Sequence, residues 1–116
     1  MEEKNTYNNN YDNSPLAYAL NLIGGKWKLP VIWALSKNGT MRYNELKRNI
    51  NVITNMMLTQ VLRELENDGI INRKQYMEIP PRVEYSLTEN GKELIPALKA
   101  LAHWGSNMKK FNGEGM

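Results

Sequence analysis

The sequence predicts an α+β fold, mostly α, on three observations. Apolar residues recur at helical spacing through most of the chain, one segment alternates with a strand's period of two, and glycines or a Pro-Pro pair punctuate the periodic runs. In the alternating segment, Val83, Tyr85 and Leu87 point one way while Arg82, Glu84 and Ser86 point the other. A chain of 116 residues has room for one domain around one core.

The elements follow in order. Residues 1–13, rich in Asn and poor in apolar residues, are expected to be a disordered tail, with a short flexible tail at 113–116 and one domain over 14–112. From Pro15, which suits a first turn, Leu16, Ala19, Leu20, Leu22 and Ile23 mark a helix that Gly24-Gly25 ends. A second helix covers 26–37, with Trp27, Val31, Ile32 and Leu35 offered to a core, and stops at Asn38-Gly39. Residues 40–42 are long enough for one short strand. The helix at 43–50 turns Tyr43, Leu46 and Ile50 inward, and a tight connection leads to Thr54, the N-cap of a long helix running to Asp68 and stopped by Gly69. A hairpin fills roughly 70–87, with Pro80, Pro81 and Arg82 at its stiffened tip, since two missing backbone donors exclude the prolines from mid-sheet. Thr88 caps a final helix through Phe111, bent at Pro96. Helix, helix, short strand, helix, tight turn, long helix, hairpin, helix is the order of a winged helix-turn-helix domain, in which the second helix of the pair enters the DNA major groove and the hairpin is the wing.

Charge fits that reading. The net charge is +3, unevenly spread. The first fifteen residues are acidic, whereas Lys26, Lys28, Lys37, Arg42, Lys47 and Arg48 face only Glu45 within 26–48. A concentrated basic segment suggests a polyanion partner; a solvated face is the alternative. On the long helix, 100° steps gather Met57, Leu58, Val61, Leu62 and Leu65 into a core stripe. Asn55, Met56, Thr59, Gln60 and Arg63 fall on a separate arc of roughly 140°. Uncharged hydrogen-bonding groups dominate that arc near its N-terminal end. Asn and Gln amides can pair with adenine, Arg with guanine, and Thr can touch a thymine methyl. Asn55, Thr59, Gln60 and Arg63 are therefore the candidate base readers. Lys26, Lys28, Arg42, Lys47, Arg48, Thr54 and the wing's Arg82 are candidates for the phosphate backbone.

Other functions find less support. With no cysteine, the chain has no disulfide, thiolate zinc site or thiol nucleophile. His103 is the only histidine and has no second ligand at metal spacing. Gly24-Gly25-Lys26 is too short for a phosphate loop, so no enzyme, cofactor or metal is expected. No apolar stretch reaches membrane-spanning length, and a soluble, cytoplasmic protein is expected. A winged-helix protein-interaction module without DNA binding is the alternative function, although such an interface favours central aromatics over a polar helix face. A small-molecule effector is a further possible partner, near Tyr18, Trp27, Trp33 and Trp104, if these are not simply core.

Five blocks, IGGKWK, RYNEL, MLTQVLRELENDGII, PPRVEYSLTENG and LAHWG, resemble in order the HxlR-type regulators, relatives of the MarR group, over about residues 14–105. The resemblance implies a homodimer of winged-helix domains on an inverted-repeat operator, joined through the first and last helices. Leu16, Leu20, Leu94, Leu98, Leu101 and Trp104 are the candidate seam. Ile95, Ala102 and Met108 extend the apolar stripe of the last helix. Two positions depart from the family's pattern. Ser14 stands where many members have a cysteine before the proline, and a hydroxyl cannot do thiol chemistry. Met56 stands where a lysine is common.

Overall fold

A computed structural model describes residues 14–113; the two expected tails fall wholly or mostly outside that range. The elements are α1 (Pro15–Ile23), α2 (Lys28–Asn38), β1 (Met41–Arg42), α3 (Tyr43–Ile50), α4 (Asn55–Asn67), β2 (Ile71–Tyr76), β3 (Arg82–Leu87), α5 (Glu89–Glu93) and α6 (Ile95–Phe111). The strands form one antiparallel sheet in the order β1-β3-β2. The fold is a winged helix-turn-helix, with α3 and α4 as the helix pair and β2–β3 as the wing.

Local chemistry sets most boundaries. Ser14 caps α1 by accepting from the Ala17 N–H at 3.1 Å, a use for the hydroxyl at that position. Thr54 and Thr88 do the same for α4 and α5, accepting from the N–H groups of Met57 and Gly91. The turn between α3 and α4 needs a left-handed residue, supplied by Asn51 at φ 71°, and it drops Ile53 into the core. Val31, Ile32 and Leu35 of α2 meet Leu46 of α3 and Leu58, Val61, Leu62 and Leu65 of α4 in that core. Met41, Ile71, Tyr85 and Leu87 close it from the sheet. This continuous contact holds α4's opposite face at the surface.

Three local expectations change. The final helix is two helices, broken at Leu94, with Pro96 in the first turn of α6, where its missing donor is not needed. Tyr43 is only partly inward: its ring packs against the core while its hydroxyl reaches out to α4. Leu98, expected at a seam between chains, is 6% exposed and belongs to the core of its own domain. Leu94 is also half-buried against that core.

Candidate nucleic-acid interface

Asn55, Met56, Thr59, Gln60 and Arg63 line one surface depression along the outer face of α4. The helical arc expected from the sequence is therefore one contiguous exposed surface. Asn55, Thr59 and Gln60 each meet a protein partner there. The Tyr43 hydroxyl donates to the Asn55 carbonyl oxygen at 2.9 Å and lies 3.0 Å from Thr59 Oγ1, so α3 braces the first two turns of α4. Gln60 Nε2 donates to Glu64 Oε2 at 3.1 Å. The other carboxylate oxygen of Glu64 lies 3.4 Å from Lys28 Nζ, which also donates to the Leu22 carbonyl at the end of α1. The hydrogen bond from Gln60, followed by the Lys28 ammonium, holds the Glu64 carboxyl below the usual carboxylate range against the opposing effect of burial. Neither Tyr43 nor Glu64 was among the expected site residues. Tyr43 reads as core because its ring is apolar, and Glu64 reads as solvated because Lys28 is far away in sequence.

The expected cations divide. Lys26 is exposed, with its ammonium 4.9 Å from the centre of the Trp27 ring. Lys47 and Arg48 occupy the last turn of α3, where they also favour the helix dipole. Arg42 precedes α3, and its backbone N–H donates to Glu45 Oε1 at 2.7 Å, with the exposed side chain beside Glu84 across the β1–β3 register. Thr54 is occupied as the α4 cap. Lys28 is not an open phosphate ligand: its side chain is largely covered and is engaged by Glu64 and Leu22.

Arg82 requires the largest correction. It is the first residue of β3, paired with Tyr76, and the connecting tip is residues 77–81. Its guanidinium stacks 3.8 Å from the centre of the Tyr76 ring, bonds Glu84 through Nε at 3.0 Å and bonds Glu78 through Nη1. Nε and Nη1 are both engaged by carboxylates, so Arg82 braces the base of the wing. These pairs raise the Arg82 pKa, Glu84's contribution first, and lower that of Glu84, with Arg82 the main cause. Because Glu84's folded pKa is depressed, its contribution to the wing is present above the ordinary carboxylate range and is lost as pH falls through the lowered value. Arg82→Ala is expected to speed hydrogen exchange at the β2–β3 amides. Arg82→Lys should fail to restore protection, because an ammonium cannot stack and fork together; restoration by lysine would show that charge alone suffices.

The tip is exposed throughout, and its large apolar side chains are Met77 and Ile79. The exposed cations of the wing are Arg73 and Lys74 on β2. The sequence reading passed over both because they lie in the less regular half of the hairpin.

On the terminal helices, Leu16, Tyr18 and Leu20 of α1 are exposed, as are Leu101 and Trp104 of α6, at 51% and 60%. Beside them Leu29, Pro30, Trp33, Leu98, Leu101 and Ala102 line an almost wholly apolar depression of about 350 Å³ between α2 and α6. Of the aromatics considered for an effector, Trp33 alone lines it. His103 Nε2 pairs with the Asn107 amide at 3.3 Å. Among the described residues, no cluster of His, Asp and Glu is placed to hold a metal, and no helix is long and apolar enough to cross a membrane.

The HxlR-like helix-turn-helix family profile matches residues 22–112. The chain belongs to that family. It is 47% identical over 96 residues to an uncharacterised HTH-type transcriptional regulator, BH0655, of Halalkalibacterium halodurans, covering 83% of this chain and 85% of that protein. The redox regulator HypR in its reduced form superposes with a TM-score of 0.79 at 44% identity, over 86% of this chain and 99% of that one. The solved structure of the HTH-type regulator YtcD gives 0.79 at 47% identity, over 84% and 98%; a protein of that name belongs to Bacillus subtilis. These relatives are transcriptional regulators rather than enzymes, and this HxlR-like chain is a DNA-binding transcriptional regulator. Unlike a thiol sensor, it has no cysteine.

Proposed function

We propose that this HxlR-like regulator acts as a homodimer on an inverted-repeat operator, with one α4 in each of two successive major grooves. The observation that carries the reading is the exposed polar face of α4, formed by Asn55, Thr59, Gln60 and Arg63, with the first three braced by protein partners. These four read base edges. Lys47, Arg48, Arg42 and Lys26 contact phosphates and fix the register, and Thr54 places the N-terminus of α4 toward the backbone. Arg82 acts indirectly, by setting the wing.

The dimer half of the reading rests on the exposed apolar side chains at Leu16, Leu20, Leu101 and Trp104, together with the apolar depression beside them. Exposed apolar side chains on two terminal helices suit a self-complementary seam. A two-fold axis through such a seam sets the α4 helices about 34 Å apart, one turn of the duplex.

Base-substitution scanning on a bound duplex tests the division of labour. Gln60→Ala or Arg63→Ala is expected to cost about 1–3 kcal/mol on the preferred sequence and to flatten preference at particular base pairs. Lys47→Ala should weaken every sequence alike and reduce the salt slope by about 1. Uniform weakening by Gln60→Ala and Arg63→Ala would refute the assignment of readers and anchors.

A further inference from the structure

We propose that Glu64 is a specificity-determining positioning residue that makes Gln60 an adenine reader by fixing the orientation of its side-chain amide. The proposal deepens the base-reading role assigned to Gln60 and rests on it. A glutamine amide free at a surface turns over, offering oxygen and nitrogen in either arrangement. Both amide hydrogens of such a group can also be given to the two acceptors of guanine, O6 and N7, whereas adenine needs one donor for N7 and one acceptor for its N6 amino group.

Glu64 removes that freedom. An ionised carboxylate only accepts hydrogen bonds, so the part of the Gln60 amide beside it is the NH2, which donates at 3.1 Å. One amide hydrogen is thereby consumed. What remains for a base is one hydrogen and the oxygen, the donor–acceptor pair that adenine requires. The carboxylate is itself held. Glu64 Oε1 lies 3.4 Å from Lys28 Nζ, and that ammonium donates to the Leu22 carbonyl at 3.1 Å. Each carboxylate oxygen thus has its own partner, and rotation would break both contacts. Lys28 also offsets a negative charge that would otherwise face the phosphates. Its part in binding is carried out through Glu64 rather than on the DNA.

The arrangement forecasts a change of preference, beyond a loss of it. In Glu64→Gln, Lys28 keeps the oxygen of the new amide, so the new NH2 faces Gln60. Gln60 then turns its own oxygen inward and presents two hydrogens outward, which suits guanine. In Glu64→Ala the amide is free, and both bases are accepted.

The test measures affinities of the folded parent, Gln60→Ala, Glu64→Ala and Glu64→Gln for duplexes varied at one position. That position is the one where Gln60→Ala removes preference. The parent should favour adenine over guanine there by about ten- to a hundredfold. Glu64→Ala should bring the ratio near that of Gln60→Ala without weakening binding to random duplex, and Glu64→Gln should move the ratio toward guanine. Parent-like ratios in both Glu64 variants, or equal weakening on every duplex, would overturn the proposal while leaving Gln60 a reader. If Gln60→Ala changes no preference at any position, the reading of Gln60 falls, and the proposal with it.

Discussion

Replacing Leu101 and Trp104 together by Asp is expected to weaken operator binding by about two to three orders of magnitude, because the second half-site is no longer engaged at high effective concentration. Both side chains are at least half exposed in the single chain. Charges there should leave the fold intact while desolvating badly in a seam. The measurement is sedimentation equilibrium alongside DNA titration. The expected result is a folded monomer that keeps its base preferences on a half-site and loses the gain from the full site. Leu98→Asp is not an equivalent experiment, since Leu98 is part of the domain core and its replacement would unfold the chain. A folded Leu101/Trp104 variant that remains dimeric would place the seam elsewhere.

Gly91→Ala is expected to destabilise the domain by about 3 kcal/mol, combining overpacking with a damaged cap. A Cβ at Gly91 would stand 2.3 Å from the Ile70 carbonyl oxygen and 3.2 Å from Leu87 Cδ2. The first contact is with backbone that has little room to move. The Ile70 carbonyl accepts from the Thr88 N–H at 3.0 Å, while Thr88 Oγ1 donates to the neighbouring Gly69 carbonyl at 2.6 Å and caps Gly91. Pushing α5 away therefore breaks the joint between the end of the wing and the helix leading to α6. For a domain of this size the fall in Tm should be about 10–20 °C by thermal unfolding. Thr88→Ala, which removes the cap without a clash, should cost only about 1 kcal/mol. Equal effects from the two substitutions would show that the close approach at Gly91 is relieved by relaxation.

What the sequence disclosed and what it hid have a common physical cause. Signals that act within one turn of chain were legible. Thr54 and Thr88 cap where expected, and Gly24, Gly39 and Gly69 follow the ends of α1, α2 and α4. The periodicity of α4 separated its buried and outward faces correctly. Contacts between distant residues were not legible. Lys28 looks like a free cation until folding brings it to Glu64, and Arg82 looks like a tip residue until the hairpin register sets it across from Tyr76. Leu98 and Leu101 share an apolar stripe in sequence, yet in the folded chain Leu98 packs into the core and Leu101 stays half exposed. Tyr43 has both characters at once, an apolar ring for the core and a hydroxyl for α4. A hydrophobic periodicity cannot report the second.

Selection from a random duplex pool at about 0.15 M salt, where non-specific binding is weak, tests the central claim most directly. The account predicts enrichment of an inverted repeat with half-site centres about one helical turn apart. Enrichment of a single, unrepeated site by a protein shown to be folded would contradict the dimeric reading, and no enrichment at all would contradict the role given to the α4 face.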